Sequence, residues 1–474
     1  MAIARRKYLH AVRARGSRRV NTRSGALITV EAARILSFAG CTRLIRYGIV
    51  LALLLPMIHL ALRAEVLAAE PPPGFSDRGV VTVYGDPTDL AWLGEDLLIA
   101  TSNGWLFRLP AGTPPGAPLG TAVMILDVSD RVGIGQEQGL LGVIADPDFP
   151  VRPYIYVYYT RAESSGHCTE LPAYCYNRVS RFTMGDDGLL DPDSEFPLLD
   201  TIMVGNLHNA GDLAFDTEDR LYVSTGDAGH WRNSQNLTNL NGKILRIDRD
   251  GAPAPGNPFG SADSVACNQR PPGKPEHACP EIFAYGLRNP FRIAFDPNYT
   301  EPVFYINDVG QEGWEEINLG IAGADYGWPM REGPCLTQSD KPCKPSRNLV
   351  EPIFTYAHET GCFAITGGAF VPGWSAWGSA YLGKYLFADW GCSAIQMLIP
   401  GKDGRLVADR FAIHIPAVTG LLFSADGDAL YYAFEDEPGS GQVGVIWRCT
   451  THTLPGAWPP TCMWGSHRPL APAK

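Results

Sequence analysis

A histidine beside an asparagine, an arginine set against a proline, and a loop rich in glycine and carboxylates are the residues of this chain best suited to chemistry. His208 and Asn209 stand just before two short apolar runs within residues 212–224. An imidazole at a strand mouth is a candidate general base, because it alone titrates unperturbed near neutral pH. Arg288-Asn289-Pro290 offers a fixed guanidinium fork and an amide, a pair suited to a planar, carboxylate-bearing ligand. In the third stretch, residues 307–318, Gly310 and Gln311 can offer backbone carbonyls, and Glu315 and Glu316 offer carboxylates. Asp325 follows, leading into Tyr326-Gly-Trp-Pro. Oxygen donors on irregular loops are what calcium selects. Each motif has a plainer alternative: a turn-capping histidine, an arginine bridging structural units, a solvated acidic face.

The elements that must position these groups recur along the chain. Residues 89–100, 139–160, 212–224, 292–306 and 420–432 each read as an apolar strand, an acidic or Gly/Pro turn and a second β-rich strand. Outer strands such as 178–182 and 243–248 lie between them, and no long stretch after residue 70 has a helical period. Strand pairs recurring at intervals of about 50–80 residues predict an all-β fold, a six-bladed β-propeller of four-stranded antiparallel blades. Propellers carry function on the loops at one end of the central channel. His208, Arg288 and Gly310 are therefore expected to share one mouth.

Residues 1–70 read as a basic leader, and residues 71–474 as a single propeller domain with a disulfide-stapled C-terminal tail. The first 46 residues hold eleven Lys/Arg and one acid, and an apolar run, Tyr47–Leu62, follows. That is the layout of an export signal or a signal anchor. The remainder carries 27 basic and 47 acidic residues, a balance of −20. Such charge argues against nucleic-acid partners and suits a small neutral substrate or calcium. Membrane contact is expected only through the leader, if it stays uncleaved. Ten cysteines lie beyond the leader, with no CxxC spacing. Sequence does not fix their connectivity, but neighbour pairing gives Cys168–Cys175, Cys267–Cys279, Cys335–Cys343, Cys362–Cys392 and Cys449–Cys462. Short loops of this kind suit an oxidising compartment, hence a periplasmic or secreted protein.

Taken in order, several motifs resemble the soluble quinoprotein glucose dehydrogenase and sorbosone dehydrogenase family over residues 80–448. They are Glu137-Gln-Gly-Leu-Leu-Gly, His208-Asn-Ala-Gly, Leu240-Asn-Gly-Lys-Ile-Leu-Arg-Ile-Asp, Gly286-Leu-Arg-Asn-Pro, Asp308-Val-Gly-Gln, Glu315-Glu-Ile-Asn and Tyr326-Gly-Trp-Pro. Animal hedgehog-interacting-protein-like domains are similar, and they use the fold for binding. The resemblance implies that His208 takes the proton from the anomeric hydroxyl of a sugar as hydride passes to pyrroloquinoline quinone. It implies that Arg288 orients the substrate oxygen and the quinone carbonyl, and that Asn289, with Glu137, borders the cofactor. Carbonyls of Gly310 and Gln311 would bind a calcium ion that polarises the quinone. Glu316 and Tyr326 match positions at or beside a second calcium, with Glu315 adjacent. An external electron acceptor, not identifiable from sequence, would complete the cycle.

The chain departs from that family at four places. Leu207 replaces an aspartate, and Glu137 stands for a glutamine. Ala417-Val-Thr-Gly replaces a stretch with two cofactor-pairing arginines, and residues 374–377 hold no matching lysine. Charged hydrogen bonds of this kind contribute roughly 1.5–3 kcal/mol each. Two other readings stand beside the dehydrogenase: a non-catalytic extracellular propeller that binds sugar or protein, and a calcium-dependent lactonase-type hydrolase.

Overall fold

The computed structural model describes residues 70–162, 168, 175–260, 264–269, 277–336, 348–437 and 439–449, without the side chains of 335, 336 and 437. Residues 1–69 of the expected leader, Cys343 and Cys462 fall outside these residues. Six four-stranded antiparallel sheets make the six-bladed propeller that the repeats predict. The innermost strands are Pro87–Leu93, Leu140–Ala145, Ala210–Phe215, Pro290–Phe295, Ile365–Phe370 and Val418–Phe423, in blades one to six. Blades one to five are each built from consecutive stretches of chain, whereas blade six borrows its outer strand from the N-terminal side, Phe75–Tyr84. That strand pairs with Ser440–Arg448, with Phe75 opposite Arg448.

The recurring acid has a structural cause. In blades two, three and four an aspartate just after the innermost strand accepts the N–H two residues on: Asp146 from Asp148, Asp216 from Glu218, Asp296 from Asn298, each at 3.0 Å. Side chain-to-backbone closure of this kind makes a tight turn without glycine. Both faces of each blade meet a neighbour, so the strands are apolar on both sides. The core is accordingly six clusters, one between each pair of adjacent blades. Each innermost strand also shifts register near its start. Such bulges re-aim the residues at the rim.

Three of the expected disulfides are present: Cys168–Cys175, Cys267–Cys279 and Cys362–Cys392. The other two pairs each have one member outside the described residues. Among the described residues no helix is long and apolar enough to cross a membrane.

Candidate active site

In an antiparallel blade, the connection entering the first strand and the one joining the second to the third emerge at the same end. Glu137, His208 and Arg288-Asn289 lie on entering connections of blades two, three and four. Asp227 and Gly310-Gln311 lie on second-to-third connections of blades three and four. Topology alone therefore gathers them at one mouth, as the sequence predicts.

His208 sits at φ 63°, a conformation uncommon for a residue with a side chain. Its N–H donates to Glu137 Oε2 at 2.5 Å, and its carbonyl accepts from Ala228 N at 3.1 Å. A Cβ at position 226 would collide with that carbonyl, so Gly226 is required beneath it. The ring meets Asp227: Nδ1 lies 2.7 Å from Oδ1. An ionised carboxylate can only accept, so Nδ1 carries the hydrogen and Nε2 is the basic nitrogen. Asp227 is held in turn by Gly229 N on Oδ1 at 2.8 Å and by Trp328 Nε1 on Oδ2 at 2.9 Å. Below it, Lys243 Nζ donates to the carbonyls of Asn233, Ser234 and Asn241 at 2.6–3.0 Å, pinning the loop that follows Asp227. Burial pushes this lysine down to about 7, while its three acceptors match the three hydrogens of the charged form.

Arg288 and Asn289 are fixed through their backbone. Asp308 accepts the N–H of Arg288 at 3.0 Å and of Asn289 at 2.7 Å. Arg288 Nη1 donates to Val309 O at 2.9 Å, and its guanidinium lies 5.6 Å from the Trp328 ring centroid. Asn289 bridges blades: Oδ1 accepts from Ala210 N at 3.0 Å, and Nδ2 donates to Glu137 Oε2 at 3.3 Å. Glu137 Oε2 thus joins His208 to Asn289.

On the adjoining loop, no hydrogen bond to the carbonyl oxygen of Gly310 or Gln311 is made by the described residues. Gly310 has no substitute, since a Cβ would strike the Trp314 carbonyl. Buried acids crowd behind the loop. Burial raises Asp308 to about 7, with Asp227 adding to the effect, and raises Glu316 to about 8, with Asp308 adding to it. Glu315 and Glu316, adjacent on the strand Trp314–Leu319, point to opposite faces. Glu315 accepts from Ile365 N at 3.0 Å and meets His358 Nε2 at 2.6 Å. Glu316 accepts from Gly333 N at 2.5 Å and Asn318 Nδ2 at 3.1 Å. Tyr326 donates to Leu319 O at 2.6 Å and accepts from Ile321 N at 3.1 Å. Sequence grouped these three; the structure gives each its own neighbours.

A cavity of about 80 Å³ opens beside Glu137, lined by Asp86, Thr88, Arg292, Thr419 and Glu435 among others. Arg292 also lines a cavity at the opposite end of the channel and therefore separates the two. It is flanked by Asp89 at 3.6 Å and Asp212 at 3.7 Å. Two buried donors at this end, Arg288 Nε and Arg292 Nε, have no hydrogen-bond partner. Paired guanidinium donors with open positions suit an oxygen-rich anionic ligand. Asp227, Trp328 and Arg292 were given no role from sequence, and Asp308 entered only as the first residue of the Asp308-Val-Gly-Gln motif.

Fold and site together define a propeller of the quinoprotein sugar-dehydrogenase class. The family model of glucose/sorbosone dehydrogenases matches residues 85–388, and the chain belongs to that family. It is 34% identical to the HIPL1 protein of Arabidopsis thaliana over 225 residues, 43% of this chain but only 32% of HIPL1. It is 28% identical to the aldose sugar dehydrogenase YliI of Escherichia coli over 341 residues, 68% of this chain and 81% of YliI. The PQQ-bound aldose sugar dehydrogenase of Streptomyces coelicolor superposes with a TM-score of 0.59 at 25% identity, covering 80% of this chain and 99% of that one.

Proposed function

We propose that the protein is an exported, calcium-assisted oxidoreductase that oxidises an aldose at its C1 hydroxyl with pyrroloquinoline quinone as acceptor. The observation that carries this reading is the His208–Asp227 pair, 2.7 Å apart, beside Arg288. The open donors of Arg288 and Arg292, with Asn289, would hold the cofactor, and the carbonyls of Gly310 and Gln311 with the acids behind them fit a calcium ion. When bound, the cofactor supplies the two-electron acceptor and calcium its Lewis-acid polarisation.

The chain's own part is proton transfer and placement. His208 Nε2 takes the proton of the anomeric hydroxyl, and Asp227 stabilises the imidazolium that results. Arg288 orients the sugar oxygen, its plane fixed by Val309 O and the Trp328 face. The disulfides and the basic leader support export, and both aldose sugar dehydrogenase relatives support a sugar substrate. An external acceptor must reoxidise the cofactor.

The test mixes the protein with pyrroloquinoline quinone and calcium and follows dye reduction with a panel of aldoses. Turnover that His208→Ala abolishes supports the proposal. No quinone binding at micromolar cofactor would overturn it, sugar binding without turnover would indicate a binding propeller, and lactone hydrolysis with calcium alone would indicate a hydrolase.

A further inference from the structure

The segment Asp325–Gly333 reaches both halves of the site. Trp328 Nε1 donates to Asp227, the partner of His208. Four residues on, Glu332 turns to the loop that carries Gly310 and Gln311. Its Oε1 accepts the N–H groups of Gln311, Glu312, Gly313 and Trp314 at 2.8, 3.0, 2.9 and 3.1 Å. Four successive amides converging on one carboxylate oxygen form a nest, the arrangement that backbone N–H groups make around an anion. Gly333, at φ 60°, lets the segment lie against Trp314, where a Cβ would meet the indole at 2.5 Å. Glu315 Oε2 takes Gly310 N at 3.3 Å, and the Asn289 carbonyl takes Val309 N at 3.1 Å. With its amides committed in this way, the loop is locked, and among the described residues no amide donates to the Gly310 or Gln311 carbonyl.

We infer that Glu332 is a positioning residue for a divalent cation: it touches neither cation nor substrate but sets the loop whose carbonyls receive the ion. The inference rests on the calcium reading above. Its Oε1, taken up by four amides, serves the loop and not the ion. Groups that orient metal ligands in this way typically change metal affinity about 10–100-fold when altered.

Calorimetric titration of the cofactor-free, full-length protein with Ca²⁺ alone tests this. Glu332→Gln is expected to weaken calcium binding 10–100-fold, because a neutral amide oxygen holds four N–H groups less tightly than a carboxylate. Activity should return at high calcium, with kcat within about threefold of the parent. Glu332→Ala should weaken binding further, with its fold checked by circular dichroism. Glu351→Gln removes the ion pair that Arg331 makes at 2.9 Å on the same hairpin and should leave calcium affinity unchanged. A parent protein that binds no calcium would overturn the functional reading. A parent that binds calcium with a Glu332→Gln variant of equal affinity would overturn only this inference, as would a Glu351→Gln variant weakened to the same degree.

Discussion

The mouth of this propeller has two unlike halves. Between blades three and four, His208, Asp227, Arg288, Asn289 and Asp308 are cross-linked by one side chain-to-side chain bond and by side chain-to-backbone bonds, all of 2.7–3.0 Å, and each restrains another. Around blades six and one, the wall is an open cavity bordered by Asp86, Thr419 and Glu435. The first half is held rigid; the second sets Arg292 among lining residues that include Asp86, Glu137 and Glu435. Proton transfer and cofactor capture are thus separable demands on the fold, and each can be perturbed alone.

The largest effect should come from His208→Ala, which removes the base: kcat for aldose oxidation, read by dye reduction, should fall about 10²–10⁴-fold with the melting temperature nearly unchanged. Asp227→Asn keeps the shape but no longer stabilises the imidazolium, and a fall of up to about 10⁴-fold in kcat is expected, with KM little altered. If instead KM rises and kcat holds, the dyad serves binding and the contrast between the halves disappears.

Asp212, in the channel wall beside Arg292, is raised to about 7 by burial. Its folded-state carboxyl keeps a proton that the unfolded chain releases near pH 4. The stabilisation is therefore full below that pH and is lost as pH rises toward 7. Asp212→Asn should flatten the loss by roughly 1–3 kcal/mol, measured as denaturation midpoints between pH 4 and 8. The smallest effect concerns the open half. Glu435→Gln removes one negative charge from the cavity wall and should tighten quinone binding about two- to tenfold, read by fluorescence quenching, with kcat unaffected. A weaker complex would mean that Glu435 holds the ligand rather than repelling it.

Much of this was legible in the sequence because repeats and turns are local. The acidic turns at Asp146, Asp216 and Asp296 announced three blades, since each closes within two residues. Blade five left no such mark. Its inner strands, Ile365–Phe370 and Tyr385–Asp389, are joined by residues 371–384 instead of a tight turn, and the first contains Gly367 and Gly368. The site was half legible for the same reason. His208, Arg288 and Asn289 stand out by type, but Trp328 reaches Asp227 across 101 positions, and only the packing of blade three against blade four brings such segments together. Glu315 and Glu316 look like one ligand pair in sequence, yet strand alternation sends them apart.

The ring is sealed by Phe75–Tyr84 lying against Ser440–Arg448. Almost the whole chain must therefore exist before the last sheet can form, and contacts of such long range are slow to make. Until then blade six lacks its outer strand and presents an unpaired edge, the kind of surface on which β-rich chains associate wrongly. Phe75–Tyr84 is thus a latch, and a chain shortened past it should self-associate before it loses its blades.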